Sequence, residues 1–391
     1  MKTIVRKINP KKLLSPLLAF IKDSRAVGSV LIVCAVSSLL LTNSRFGLQF
    51  IHLLEVPLFH LPNNLHLPHT ALHFINDGLM AIFFFLVGLE IKRELLVGEL
   101  SSLKKSMLPI VAALGGMLVP ALLFSAFNLS TPWAKGWGVP MATDIAFSLG
   151  VLSLLGSRAP LSLRILLSAL AIIDDLGGIL TIAIFYAGHL HWNYFFFALI
   201  ILSVLIVLNR LKVNAQWVYI ALGVLLWYAV FNSGIHATIA GVLLAFTLPL
   251  QGIAQLEHRL HIPVNFFIMP LFAFANTAIL LPSDFSAVTA STVAYGIFVG
   301  LLLGKPLGIF LFSWLAVRLK LGDLPRGISW QHIWGMGLVA GIGFTMSLFM
   351  TNLAFDSVEL QTIGKVAVMA ASAVAGIVGF FFLKFLSLKE K

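Results

Sequence analysis

The chain has 391 residues, of which 59% are hydrophobic and only 10% charged, and its mean hydropathy is +1.00. Average soluble domains carry about 25% charged residues, so this composition excludes a soluble globular enzyme, a disordered chain and a nucleic-acid-binding domain. The formal charge of +11 comes without the solvated basic face that nucleic acid requires, and an all-α polytopic membrane protein is the class that remains.

Residues 1–25 are basic and hold a short apolar run at 13–21, interrupted by Pro16. They read as a cytoplasmic or interfacial N-terminal segment rather than a cleaved leader. A membrane helix needs about 20 apolar residues to cross the hydrocarbon. Charge-poor stretches of that size predict twelve spans, at 26–42, 72–95, 107–127, 136–156, 164–187, 193–210, 216–231, 235–250, 262–281, 291–315, 330–354 and 361–384. The connections are too short for a second domain, so 1–391 reads as one integral membrane domain. Residues 46–70 hold Pro57, Pro62, Asn63, Asn64 and Pro68, together with His52, His60, His66 and His69. They read as a solvated extracytoplasmic loop or hairpin, since the histidine spacing is irregular and Glu55 is the only carboxylate. The single cysteine, Cys34, excludes an intrachain disulfide and any CxxC site.

The basic residues fit this topology. Of the 26 Lys and Arg, all but Arg45, Lys135, Lys305 and Lys365 fall on the side that an even span count gives to both termini. By the positive-inside rule that side is cytoplasmic.

Charges placed in mid-membrane cost roughly 2.5–3.5 kcal/mol each on insertion scales. Asp144, Asp174, Asp175 and Lys305 are so placed, and an expense of that size demands a compensating role. Asp174 and Asp175 are adjacent in the fifth span, about 100° apart around the helix. A single Asp could be a structural ion-pair partner, but two neighbours suit a cation or proton site better. Asp144 follows Pro140 and Thr143 in the fourth span. It reads either as a cap inside a kinked helix or as a ligand at a true break. The eleventh span has a matching weak point at Gly341 and Gly343, and interrupted helices in corresponding halves point to a transporter's midplane site. Lys305 either pairs with a buried carboxylate or offsets a half-helix dipole. Gly300-Leu-Leu-Leu-Gly-Lys-Pro departs from a phosphate-binding loop in spacing and follows no strand, and Gly335–Ala340 likewise lacks the strand a dinucleotide site needs. Paired carboxylates with hydroxyl and carbonyl neighbours suit a hard cation, and a proton competes for the same oxygens. A sodium-coupled symporter or a channel would use similar groups; an intramembrane aspartyl protease would need a G-x-G-D signature, which is absent.

Several segments together resemble the NhaA sodium/proton antiporters. They are Asn76-Asp-Gly-Leu-Met-Ala81, Gly88-Leu-Glu-Ile-Lys-Arg-Glu-Leu95, Ala142-Thr-Asp-Ile-Ala-Phe147, Ile173-Asp-Asp-Leu-Gly177, Ser233-Gly-Ile-His-Ala-Thr238, Gly304-Lys-Pro-Leu-Gly308 and Gly341-Ile-Gly-Phe-Thr-Met-Ser347. The family is itself a standard example of inverted-repeat transporters, so that symmetry comes with the resemblance and not from these residues. The resemblance implies twelve helices with two broken crossing spans, the fourth and the eleventh. It implies Asp175 as the main Na⁺, Li⁺ and proton ligand, helped by Asp174, Asp144 and Thr143, with Lys305 compensating charge. Asp77, Glu90, Arg93, Glu94, His236, Glu257 and His258 match positions tied to pH response near a cytoplasmic funnel. It further implies electrogenic, alkali-activated exchange that extrudes Na⁺, a homodimer with 46–70 as a contact hairpin, residence in a bacterial inner membrane, no cofactor and no enzymatic activity.

Overall fold

The structure, a computed structural model, describes residues 24–57, 67–282 and 285–389. The expected interfacial segment at 1–25 and the middle of the 46–70 loop therefore lie outside the described residues, apart from their edges. The chain is helical because long apolar stretches in lipid must satisfy every backbone N–H and C=O internally. Among the described residues the only strand-like pairing is an isolated antiparallel bridge between Pro57 and Thr70.

The principal helices are α1 (Ser24–Thr42), α2 (Gly47–Glu55), α3 (Ala71–Leu96), α4 (Leu103–Asn128), α5 (Ile145–Leu154), α6 (Leu161–Phe185), α7 (Trp192–Arg210), α8 (Gln216–Ser233), α9 (Thr238–Thr247), α10 (253–276), α11 (Thr292–Arg318), α12 (Trp330–Ala340), α13 (Phe344–Ala354) and α14 (Val358–Lys389). A 3-10 helix, Pro132–Met141, precedes α5. The loop expected at 46–70 begins as helix α2, bent 113° from α1.

Among the described residues seven helices are long and apolar enough to cross a membrane, and up to ten spans result if each of three bent pairs counts as one. Two of the twelve expected spans, 235–250 and 262–281, fall short on length and continuity. Helix α9 has 10 residues, about 15 Å, which is half the hydrocarbon thickness. Helix α10 starts with the polar run Gln255, Glu257, His258 and Arg259 and is interrupted by a π-helical turn at Val264–Ile268.

The buried apolar residues form two cores. The smaller joins α7, α8 and α9 to the start of α10 through Leu205, Tyr219, Leu226, Leu244 and Leu256. The larger holds the remaining helices. Helix α3 lies between the two: Phe84, Val87 and Ile91 face the larger core, Phe85 and Leu89 the smaller. The Lys92 ammonium, buried at the end of α3, donates to the carbonyls of Phe246 and Leu248 and so ties α3 to the end of α9.

Helices α4 and α11 approach at backbone distance. A Cβ on Gly308 would lie 2.1 Å from the Gly115 carbonyl oxygen, and one on Gly115 would lie 2.3 Å from the Gly308 oxygen. Side-chain-free backbone at both positions is what allows the approach. Gly308 is one turn from Lys305, so this contact also sets where that ammonium sits. Gly308→Leu is expected to destabilise the protein by about 1–3 kcal/mol or more through overpacking, read as a lowered thermal midpoint of the purified protein in detergent.

Candidate functional site

The site forms where two helices are broken. Pro132–Met141 and α5 bend by 40°, α12 and α13 by 50°. Pro140 and the extended backbone at Ala142 end the first half, and Asp144 starts the next. On the other side α12 gives way to α13 across Gly341, Ile342 and Gly343. A Cβ at Gly343 would lie 2.2 Å from Ser347 Oγ and 3.0 Å from the Ala142 carbonyl oxygen, so only glycine admits the neighbouring break.

A broken helix leaves orphan carbonyls at one end and orphan N–H groups at the other. Here each break serves the other. Thr143 Oγ1 donates to Ala340 O at 3.0 Å, Ser148 Oγ to Val339 O at 3.0 Å and Asp144 N to Ile342 O at 2.7 Å. In return Ser347 Oγ donates to Val139 O at 2.8 Å. The Asp144 carboxylate caps two helix N-termini at once. Its Oδ1 accepts from Phe147 N at 3.1 Å; its Oδ2 accepts from Thr345 N at 3.0 Å and from Thr345 Oγ1 at 2.5 Å. The two readings of Asp144 from sequence, cap and site residue, are thus not exclusive in geometry.

Against this joint α6 presents its adjacent acids. Asp174 and Lys305 form a fully buried ion pair, Nζ to Oδ2 at 2.5 Å. Of the two roles left open for Lys305, pairing with a carboxylate is the contact observed. A π-helical turn at Gly300–Gly304 immediately precedes Lys305; such a turn rotates the next residues relative to an ideal helix, and it is common at functional sites. The second Asp174 oxygen, Oδ1, has no hydrogen bond of ordinary geometry. Among the described residues Asp175 makes no ion pair of this kind. It lies within electrostatic reach of Asp174, Asp144, Glu90 and Lys305, and it faces a cavity.

That cavity, of about 270 Å³, is lined by Asp144, Asp175, Thr345 and Met346 at its inner end. It continues past Glu90 to Arg93, Glu94 and His261 at the end of the bundle that carries most of the Lys and Arg. Asp174 and Thr143 do not line it. Four of the seven expected pH-response residues gather at this mouth: Glu90 within it, and Arg93 paired with Glu94 at 3.2 Å and with Glu257 at 3.1 Å. Burial raises the Glu257 carboxyl above its ordinary range; Arg93 opposes this and Glu94 adds to it. His258 is exposed beside this cluster, while His261, on the same face of α10 one turn on, lines the cavity instead. Asp77 and His236 do not join the funnel. Asp77 is 16 residues, about 24 Å of helix, from Arg93 on α3, and it pairs with His73 at 3.1 Å. His236 sits between α8 and α9 with Nε2 2.6 Å from Tyr186 O. Thr345 and His261 are the residues that sequence reasoning passed over. The only signal for Thr345 is its place two residues after Gly343, at the first turn of a half-helix.

Oxygen donors around unpaired buried carboxylates fit a hard cation in transit. Among the described residues no group of three or more His, Cys, Asp or Glu converges as a resident metal site. Ionisable groups buried in an apolar helical bundle, joined at two broken helices and open to one end, define a multi-pass membrane protein of the ion-transporter class.

The chain belongs to the Na⁺/H⁺ antiporter 1 family, whose model matches residues 18–383. It is 49% identical over 371 residues to a protein of Flavobacterium johnsoniae named Na(+)/H(+) antiporter NhaA 2, covering 93% of this chain and 91% of that one. It is 48% identical to the Cytophaga hutchinsonii Na(+)/H(+) antiporter NhaA, covering 95% of each chain. It is 47% identical to the Na(+)/H(+) antiporter NhaA of Escherichia coli O1:K1, covering 93% and 97% of the two chains.

Proposed function

We propose that this protein is an electrogenic, pH-regulated antiporter that expels Na⁺ or Li⁺ across a bacterial inner membrane in exchange for H⁺. One observation carries the reading: Asp175 and Asp144 share a cavity that runs to the basic end of the bundle, while Asp174 is held by Lys305. Asp175 is then the main cation and proton ligand, with Asp144 and the carbonyls of the joint beside it. Thr143 and Asp174 shape the site from behind. Cation and protons compete for the same oxygens, so the site carries one or the other. Exchange follows if the loaded site faces one side at a time.

The fold proposed is the twelve-span inverted repeat, with α9 and α10 as its short and kinked members and the two broken spans crossing at the joint. The basic end is cytoplasmic and holds both termini. One body carries the joint, α6 and α11; the other is α3 with α7–α10, joined through the smaller core as far as the start of α10. The bodies rock against each other to alternate access. The charged cluster of Glu90, Arg93, Glu94 and Glu257 at the cavity mouth supplies the pH response, since burial raises the Glu257 carboxyl and its proton is then lost nearer neutrality. The bilayer and a second copy of the chain are the partners in this reading.

Inside-out membrane vesicles with a pH-reporting dye test it. Addition of Na⁺ or Li⁺ is expected to collapse an imposed proton gradient, faster as the pH is raised through neutrality to about pH 8. A gradient untouched by either ion at that pH overturns the reading.

A further inference from the structure

The cavity ends at Thr345 and Met346. Beyond them, toward the end away from the basic residues, α3, α10 and α13 close on one another in two layers. The first is aromatic. The Phe349 ring centroid lies 5.5 Å from that of Phe84 and 6.2 Å from that of Phe272, and all three rings are buried. The second layer is made of amides. Asn352 Nδ2 donates to Asn276 Oδ1 at 2.6 Å; Asn276 Nδ2 donates in turn to Asn76 Oδ1 at 2.8 Å and to Phe272 O at 3.0 Å. Each of the three helices therefore contributes one ring and one amide. Helical rise places Asn352 about 10 Å beyond Thr345.

Asn276 is buried, and Asn76 and Asn352 are half-buried; placing an amide there is costly unless it is paired, whereas leucines would seal the same gap without that cost. What an amide ladder adds is a link that holds in one register and is lost in another, as a buried Asn does in a coiled coil. The links here are not equivalent. Asn76 and Asn276 lie on α3 and α10, within one body. Asn352 lies on α13, which continues the joint and belongs to the other.

We propose that the Asn352–Asn276 hydrogen bond is the latch of the gate on the far side of the ion site, made when the site opens to the basic end and broken when it opens to the other. Asn76 holds Asn276 in place to receive it. The proposal rests on the alternating-access reading above.

Two measurements in a Cys34→Ala background test it. First, Asn276→Cys with Asn352→Cys is treated in membranes with a short bis-methanethiosulfonate, since side chains joined end to end by a hydrogen bond hold their Cβ atoms beyond direct disulfide reach. The bridge is expected to form in the resting protein and to abolish Na⁺/H⁺ exchange, with recovery on reduction. Failure to cross-link, or full exchange by the cross-linked protein, overturns the latch. Secondly, Met346→Cys is labelled in intact cells by a membrane-impermeant trimethylammonium thiosulfonate. Adding Asn352→Ala is expected to raise labelling from outside about fivefold, the population shift that one ordinary hydrogen bond supports. Unchanged labelling overturns the latch. A merely structural role would lower protein yield without moving this accessibility. The labelling does not depend on exchange, so a parent protein that fails to exchange Na⁺ counts against the antiport reading alone.

Discussion

Asp175→Asn is expected to abolish Na⁺- and Li⁺-driven proton movement in vesicles while leaving the thermal midpoint close to that of the parent. The amide is nearly isosteric and takes a charge out of a buried, acid-rich site, so the fold has no reason to suffer. Two losses combine in transport. Removing a full charge from a buried cation site costs on the order of 3 kcal/mol, roughly a hundredfold in affinity. That part could be overcome by raising Na⁺. The second loss could not, because an amide carries no exchangeable proton at any working pH. Exchange is therefore expected to stay absent at saturating Na⁺. Recovery at high Na⁺ would show that the proton is carried elsewhere, with Asp144, Glu90 and Glu94 the remaining acids on the cavity wall.

Lys305→Ala is expected to have the opposite profile, with a large cost in stability. Lys305 and Asp174 are both buried, at 0% and 1% side-chain exposure. Removing the cation leaves a buried carboxylate without its counter-ion. Breaking such a pair costs about 3–5 kcal/mol, far more than an exposed pair is worth. The check is thermal unfolding in detergent, followed by tryptophan fluorescence. Lys305→Ala combined with Asp174→Ala is expected to recover part of the loss, since no charge is then stranded. A double variant no more stable than the single would assign the cost to lost packing of the lysine stem between α4 and α11.

The parts of this site legible in the sequence were those whose chemistry is local. Adjacent acids at 174 and 175 stand out against an apolar span. Asp144 follows a helix-breaking proline, and Gly341 and Gly343 mark a second weak point. What joins these segments was not legible. Lys305 and Asp174 are 131 residues apart, and counting charges cannot choose among three buried acids. Thr345 is one hydroxyl among many, distinguished only by the carboxylate that a distant break brings to it. The same holds for Asn276 and Asn352, whose amide partners lie 76 and 200 residues away in the chain. Span counting was weakest where length was least: the apolar run at 235–250 holds a helix of only 10 residues, which Leu248 and Pro249 end. The π-helical turns in α3, α10 and α11 have no sequence signature at all, yet one of them directly precedes Lys305.

The one-ended cavity also has an electrical consequence. A vestibule that admits water conducts, so the membrane voltage does not fall evenly across a bundle that contains one. With the gate as proposed, it falls mainly beyond Met346, where the rings and amides stack. Moving one elementary charge across the full potential is worth about 2.3 kcal/mol per 100 mV. Concentrated over roughly 10 Å rather than the full 30 Å of hydrocarbon, the field on that septum is about three times the average. A bound cation need then shift only a few ångströms for the voltage to perform most of its work, and the part of the protein that must yield is the thinnest one.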